Sequence, residues 1–268
     1  MRSRILKVAL VQSGLYPNDE KKAIREAISF ARKAARESPR LICFPEHWLI
    51  DRVLYPNDDL YGIFSDLAKE LDTYINLGGI FDTSNSNSRS APKSKTFFVS
   101  PTISPAGKVI SKQKKVHLFR RENKLATGGD SFDPFKIDDI TVGVMVCHDV
   151  VFPESARALV LKGAELILNP SLITTLGLEP WQAYLKARVL ENRVPIVAAN
   201  PYVKNRVPGG SVILGLEYEK KQGIMQVRNL VKSSTGRLFV SKLSFDDEII
   251  ALRKERLSER KPEAYFKD

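Results

Sequence analysis

Three short stretches place a chemically useful side chain just past what reads as the end of a buried strand. In Phe44-Pro45-Glu46-His47-Trp48 it is a carboxylate, in Lys114-Lys115-Val116-His117-Leu118-Phe119 an ammonium, and in Val144-Met145-Val146-Cys147-His148-Asp149 a thiol, followed by Phe152-Pro153-Glu154. A carboxylate moves protons, a thiolate attacks electrophilic carbon and an ammonium stabilises developing negative charge, so these side-chain types suit covalent catalysis. A cysteine at a strand end, before a turn and a helix, is placed like a nucleophile on an elbow. Each stretch also has a plainer reading. An isolated Pro-Glu is usually a surface acid opening a loop, a lone lysine a solvated strand end, and a free cysteine a small buried hydrophobe. That last reading fits Cys43, which lies inside an apolar run.

The pattern predicts strands and helices that would hold these positions. Residues 5–11 form a short apolar run typical of a buried strand. Asn18 is placed to cap a helix with apolar residues at Ile24, Ala27, Ile28, Ala31 and Ala35, which is helical spacing. Residues 40–44 read as a second strand, 66–71 as part of a helix, and 75–81 as a third strand running through Gly78 and Gly79. Residues 82–95 are rich in Ser and Asn and read as a loop; 96–100 and 108–111 read as a hairpin turning at Pro105-Ala106-Gly107. Strands over 141–146, 166–169 and 196–200 alternate with helices over 154–162, ended by Gly163, and 181–192. Later strands are expected at 211–214, 223–228 and 237–243, then a charged helix over 246–260. Strand–helix units mixed with hairpins predict an α/β layered sandwich, and without a linker or repeat residues 1–268 read as a single domain.

Together and in this order, the three stretches resemble the nitrilase superfamily of carbon–nitrogen hydrolases, on the side of its amidases and carbamoyl-amide hydrolases. Glu46 matches the family's catalytic Glu in its Phe-Pro-Glu context, and Lys115 matches a catalytic Lys two residues before His-Leu. Cys147 through Arg157 match every fixed position of Cys-x-Asp-x-x-Phe-Pro-Glu-x-x-Arg. Arg188-Val189-Leu190-Glu191-Asn192, with Ala199-Asn200, is similar to a further family segment; Glu122, seven residues before Gly129-Asp130, stands where members often carry a second Glu. There are departures. His148 replaces a frequent aromatic residue, Cys147-His148-Asp149 differs from the Cys-Trp-Glu of nitrilases proper, and Gly209-Gly210-Ser211 runs into Leu216-Glu217-Tyr218-Glu219 rather than a Pro-x-Gly turn.

The resemblance implies a four-layer α-β-β-α sandwich that hydrolyses a small linear amide or N-carbamoyl compound and releases ammonia or an amine. Cys147 would be the nucleophile, Glu46 the general base and Lys115 the cation for the oxyanion. The backbone N–H of His148 would be a second donor, and Glu122 would either fix Lys115 or the substrate, or only balance the charge of Arg120, Arg121 and Lys124. Neither a metal nor an organic cofactor is implied, and the partners are the amide substrate and further copies of the chain, as a homodimer or larger. Asp149, Arg157, Arg188 and Glu191 read as structural, because buried charges need partners. Acyl transfer to an amine ranks lower, because members that do this are membrane-bound. A non-catalytic scaffold on the same fold ranks lower too, having no reason to keep all three residues.

The bulk composition agrees. The 268 residues are 43% hydrophobic and 27% charged, the proportions of an ordinary globular protein. The net charge of +11 invites a nucleic-acid reading, but the basic residues are spread along the chain and interleaved with acids, and no nucleic-acid motif is visible. No run approaches the roughly 18 apolar residues of a membrane helix. No signal-peptide pattern opens the sequence, so a cytoplasmic protein is expected. Two cysteines make neither a disulfide framework nor a zinc site.

Overall fold

A computed structural model describes residues 3–50, 52–55, 58–83, 96–232 and 235–265. Of the loop expected over 82–95, positions 84–95 lie outside the described residues.

The strand Ser3–Val11 shows how the layers arise. Successive side chains of a strand point to opposite faces. Val8 and Leu10 enter one apolar cluster and Ala9 and Val11 another, all fully buried. This strand is central in an eight-stranded sheet ordered Leu238–Asp246, Ser3–Val11, Leu41–Cys43, Tyr74–Asn76, Phe97–Ile103, Ile80–Asp82 and Val53–Leu54, with Val109–Lys114 paired to Phe97–Ile103. A second, six-stranded sheet runs Ile224–Lys232, Val212–Glu219, Ile196–Ala199, Leu166–Pro170, Ile140–Val144 and Phe135–Ile137.

Three apolar clusters define four layers. The outer face of the first sheet (Ala9, Ile42, Phe44, Ile75) packs on the helices Glu20–Ala35 and Asp59–Glu70 through Ala27, Ala31, Phe64 and Leu67. The inner faces of both sheets meet in a second cluster, in which Leu6, Val8, Leu41 and Phe98 pack with Val142, Val144, Leu166 and Leu168. The outer face of the second sheet (Met145, Ile167, Ile196) packs on the helices Pro153–Leu161 and Leu178–Asn192. The fold is therefore the α-β-β-α sandwich expected.

Several local expectations change. Asp19, not Asn18, caps the first helix: its carboxylate accepts the Lys22 N–H, while Asn18 turns in the left-handed region with φ 63°. The helix expected to include 66–71 runs Asp59–Glu70, opened by Asp58, which supplies a cap. The strand expected over 75–81 is interrupted. Tyr74–Asn76 and Ile80–Asp82 both pair with Phe97–Ile103, but the chain between them breaks at Gly78, with φ 69°. A Cβ at Gly78 would stand 1.8 Å from the Pro45 carbonyl oxygen, and one at Gly79 would stand 2.8 Å from Glu46 Cγ. The glycines thus let the loop after Leu41–Cys43 lie against this strand, and that loop carries Glu46.

Candidate active site

Each of the three expected side chains leaves the end of a strand, and the strand ends converge. Glu46 follows Leu41–Cys43 in the first sheet, and its N–H donates to Ser171 O at 3.2 Å, beyond Leu166–Pro170 of the second sheet. Lys115 follows Val109–Lys114; its N–H donates to Phe98 O at 2.7 Å, and the Gly129 N–H donates to its carbonyl at 2.8 Å. Cys147 opens the 3₁₀ turn Cys147–Val151 just past Ile140–Val144, on a left-handed backbone with φ 45°. Such a conformation is unusual for a side chain other than Gly, Asn, Asp or His and is held by its surroundings. Asp149, fully buried, does the holding. Its carboxylate accepts the Val146 N–H at 2.9 Å and the His117 N–H at 2.8 Å, with His117 Nδ1 at 2.9 Å. Arg188 braces the other side, donating to Val150 O at 3.0 Å and Val151 O at 2.9 Å while paired with Glu191. Asp149, Arg188 and Glu191 thus have structural partners, as expected.

Lys115 is the hub. Its side chain is wholly buried, and Nζ lies 2.8 Å from Glu46 and 2.8 Å from Glu122, which are themselves 2% and 8% exposed. Glu122 opens the short helix Glu122–Leu125 and also accepts the Phe119 N–H at 2.7 Å. It is therefore part of the cluster rather than a counter-charge for Arg120, Arg121 and Lys124, which are exposed. Burial pulls the Lys115 ammonium toward its neutral form, but the charges of Glu46, Cys147 and Glu122 outweigh this and raise its pKa above the usual lysine value. Burial pushes Glu122 up; the hydrogen bond to His47 and the charge of Lys115 more than reverse this and hold it at about 2.

Burial, reinforced by the Glu46 charge, pushes the Cys147 thiol well above the usual cysteine range. Lys115 and the Leu172 N–H pull it partly back. Cys147 is 9% exposed, and that exposure opens into a cavity of about 510 Å³. The cavity is lined mainly by apolar and aromatic groups, among them Phe119, Val151, Ile173, Trp181 and Tyr184, with Arg120 and His148 as its basic members. Burial and the Lys115 charge lower the His148 pKa, which favours a neutral ring; the ring packs against Phe119 and Phe152. Trp181 lines the cavity and donates to Asn169 Oδ1 at 2.9 Å, whereas Trp48 fills the core under the first sheet.

Sequence reasoning missed His47 and the Leu172 amide. His47 had one signal, its place directly after Glu46; the amide had none. The oxygen and nitrogen atoms of Glu46, His47 and Glu122 lie within 4.8 Å of one another, a spacing a metal ion can share. At this spot, however, the Lys115 ammonium supplies the positive charge between the two carboxylates.

Three residues of the right type, meeting where strand ends from two sheets converge, agree with what sequence comparison finds. Residues 7–225 match the carbon-nitrogen hydrolase family. The chain belongs to this family. It is 25% identical to the omega-amidase NIT2 of Homo sapiens over 199 residues, covering 66% of this chain and 68% of that protein. It is 29% identical to the deaminated glutathione amidase of Mus musculus over 154 residues, 53% of this chain and 47% of that protein, so the chain spans about half the length of this relative. Among solved structures, the carbon-nitrogen hydrolase from Helicobacter pylori G27 superposes with a TM-score of 0.80 at 18% identity, covering 97% of both chains, which shows a shared fold. The described residues of this carbon-nitrogen hydrolase include no helix long and apolar enough to cross a membrane.

Proposed function

We propose that this carbon-nitrogen hydrolase cleaves the C–N bond of a small linear amide or N-carbamoyl compound through a thioester on Cys147, with Glu46, Lys115 and Cys147 as its catalytic triad. The observation that carries the reading is a buried Lys115 held 2.8 Å from Glu46, both beside the Cys147 thiol at the mouth of a cavity. A thiol with a raised pKa needs a base at the moment of attack, and Glu46 is in reach to take its proton. Attack on the carbonyl carbon forms a tetrahedral oxyanion. An ammonium has three donors; Lys115 spends two on Glu46 and Glu122 and turns the third to the oxyanion. The His148 N–H is the second donor. One such donor contributes about 3–4 kcal/mol to the transition state. Glu46 then passes its proton to the leaving nitrogen, which departs as ammonia or an amine. It next takes a proton from water, whose oxygen attacks the thioester, and the acid leaves with the Cys147 thiol restored. The step needs no cofactor.

Similarity to a protein named omega-amidase places ω-amides first among candidate substrates, followed by N-carbamoyl compounds and simple aliphatic amides. Ammonia release from this panel is the test. Turnover by the wild type that is lost in Cys147→Ala supports the reading; ammonia release that survives in Cys147→Ala overturns it. We further read residues 1–268 as one domain, since the strand Leu238–Asp246 pairs along the whole of Ser3–Val11. Free thiols at Cys43 and Cys147 support a reducing, cytoplasmic setting. Phe119, Leu176 and Tyr184 are exposed apolar residues lining the cavity, which supports a homodimer or larger assembly, testable by light scattering.

A further inference from the structure

We propose that His47 is a positioning residue of this site: its Nε2–H holds the Glu122 carboxylate against Lys115 and thereby aims the ammonium that faces Cys147. The proposal rests on the reading of Glu46, Lys115 and Cys147 given above.

His47 sits in a conformation that needs a reason. Its backbone has φ 56°, directly after Glu46, with its N–H donating to Gly79 O at 2.9 Å. Glycine takes this region without strain, and among the remaining residues Asn, Asp and His are the ones enriched there. What histidine adds over glycine is a ring, and the ring is occupied. Its centroid lies 4.7 Å from that of Phe98 and 5.8 Å from that of Phe81. Lys115 Nζ approaches the same Phe98 ring, at 5.2 Å from its centroid. The imidazole is thus wedged against the aromatic floor on which the lysine rests. Nε2 points to Glu122 Oε1 at 3.4 Å, long for such a bond, and that oxygen also accepts from Lys115 at 2.8 Å. A carboxylate oxygen has no proton to give, so Nε2 carries the hydrogen.

The charged groups facing the ring are Glu122 and, behind it, Lys115 and Glu46; the remaining packed faces are Phe81 and Phe98. Two carboxylates share one ammonium. If Glu122 took up a proton it would loosen its hold on Lys115, which would then swing toward Glu46 and weaken the base. The His47 bond opposes this, and after burial it is the largest influence on the depressed Glu122 pKa. The ring of His47 meets Glu122, Phe81 and Phe98, so it acts through Glu122.

Three variants test this. His47→Phe keeps the packing and removes the donor. His47→Gln restores a donor of similar reach. His47→Asn suits the left-handed backbone but falls short of Glu122. Turnover is measured against pH, and the alkylation rate of Cys147 by iodoacetamide is followed over the same range without substrate. The expected result for His47→Phe and His47→Asn is a loss of about tenfold in kcat, the effect of one hydrogen bond to a charged group, with KM unchanged. The sign of the pH effect follows from Glu122: without its donor its folded pKa rises, so the acid limb of both profiles moves to higher pH. His47→Gln should recover most of the loss and return the limb. Wild-type kcat and an unmoved acid limb in His47→Phe overturn the proposal. A loss that tracks melting temperature equally in all three variants, with no movement of the limb, overturns it as well. If the wild type turns over no amide, the hydrolase reading fails, while the alkylation profile still decides the role of His47.

Discussion

Cys43 and Cys147 belong to the same apolar cluster between the two sheets, and burial pushes both thiols well above the usual cysteine range. For Cys43, 3% exposed and the last residue of the strand Leu41–Cys43, burial is the only influence on the thiol. Cys147 lies past a strand end, on a left-handed backbone fixed by Asp149, with Glu46, Lys115 and the Leu172 N–H around it and a cavity in front. Burial alone therefore does not distinguish a reactive cysteine from a packing one. On the proposed reading, the difference is made by a base and a cation brought from other strand ends, together with an opening.

This contrast can be broken in order of expected effect. Cys147→Ala should lower amide turnover by roughly 10⁴–10⁶-fold, as loss of a nucleophile does, while Cys43→Ala keeps turnover and loses about 1 kcal/mol of stability; steady-state kinetics and thermal melts on both variants separate these outcomes. Lys115→Ala should lose roughly 10²–10³-fold in turnover. Total burial between two carboxylates adds a stability cost of about 3–5 kcal/mol, because Glu46 and Glu122 are left without their cation. Lys114→Ala is the control: Lys114 is half-buried, with Nζ 4.0 Å from the centroid of Phe97, and its loss should cost no more than about 1 kcal/mol and no turnover. Gly79→Ala should push Glu46 aside, since the new Cβ would meet Phe98 at 2.5 Å and Glu46 Cγ at 2.8 Å; a displacement of about 1 Å can cost roughly 10²-fold in kcat. Smallest is Gly62→Ala, in the helix Asp59–Glu70 with nothing within 4 Å of the added methyl. It should raise stability by about 0.5–1 kcal/mol and leave turnover untouched, a melting-temperature gain without a kinetic change.

The layers were legible because buried apolar runs and helical spacing leave a local trace: residues 5–11 and 166–169, and all but the last of 196–200, fall in strands. The site was legible through the Phe-Pro-Glu, Lys-x-His-Leu and Cys-x-Asp motifs, and Glu46, Lys115, Glu122 and Cys147 do converge. The break at Gly78 was not legible. Apolar residues stand on both sides of Gly78-Gly79, and the contact at the break is with the Pro45 carbonyl, in a segment far away in sequence. Strands as short as Val53–Leu54 and Tyr202–Val203 carry too few residues to show a period. The link from His47 to Glu122 spans 75 positions and depends on an unusual φ, which spacing does not encode.

The central claim is that Cys147, and not Cys43, carries the acyl group. The direct measurement is rapid acid quench of the enzyme during turnover of an accepted amide, followed by digestion and mass mapping of both cysteine peptides. The account predicts the mass of the substrate acyl group on the Cys147 peptide, absent from the Cys43 peptide and discharged with time in water. An adduct on Cys43, or full turnover with no adduct formed and undiminished activity in Cys147→Ala, would contradict it.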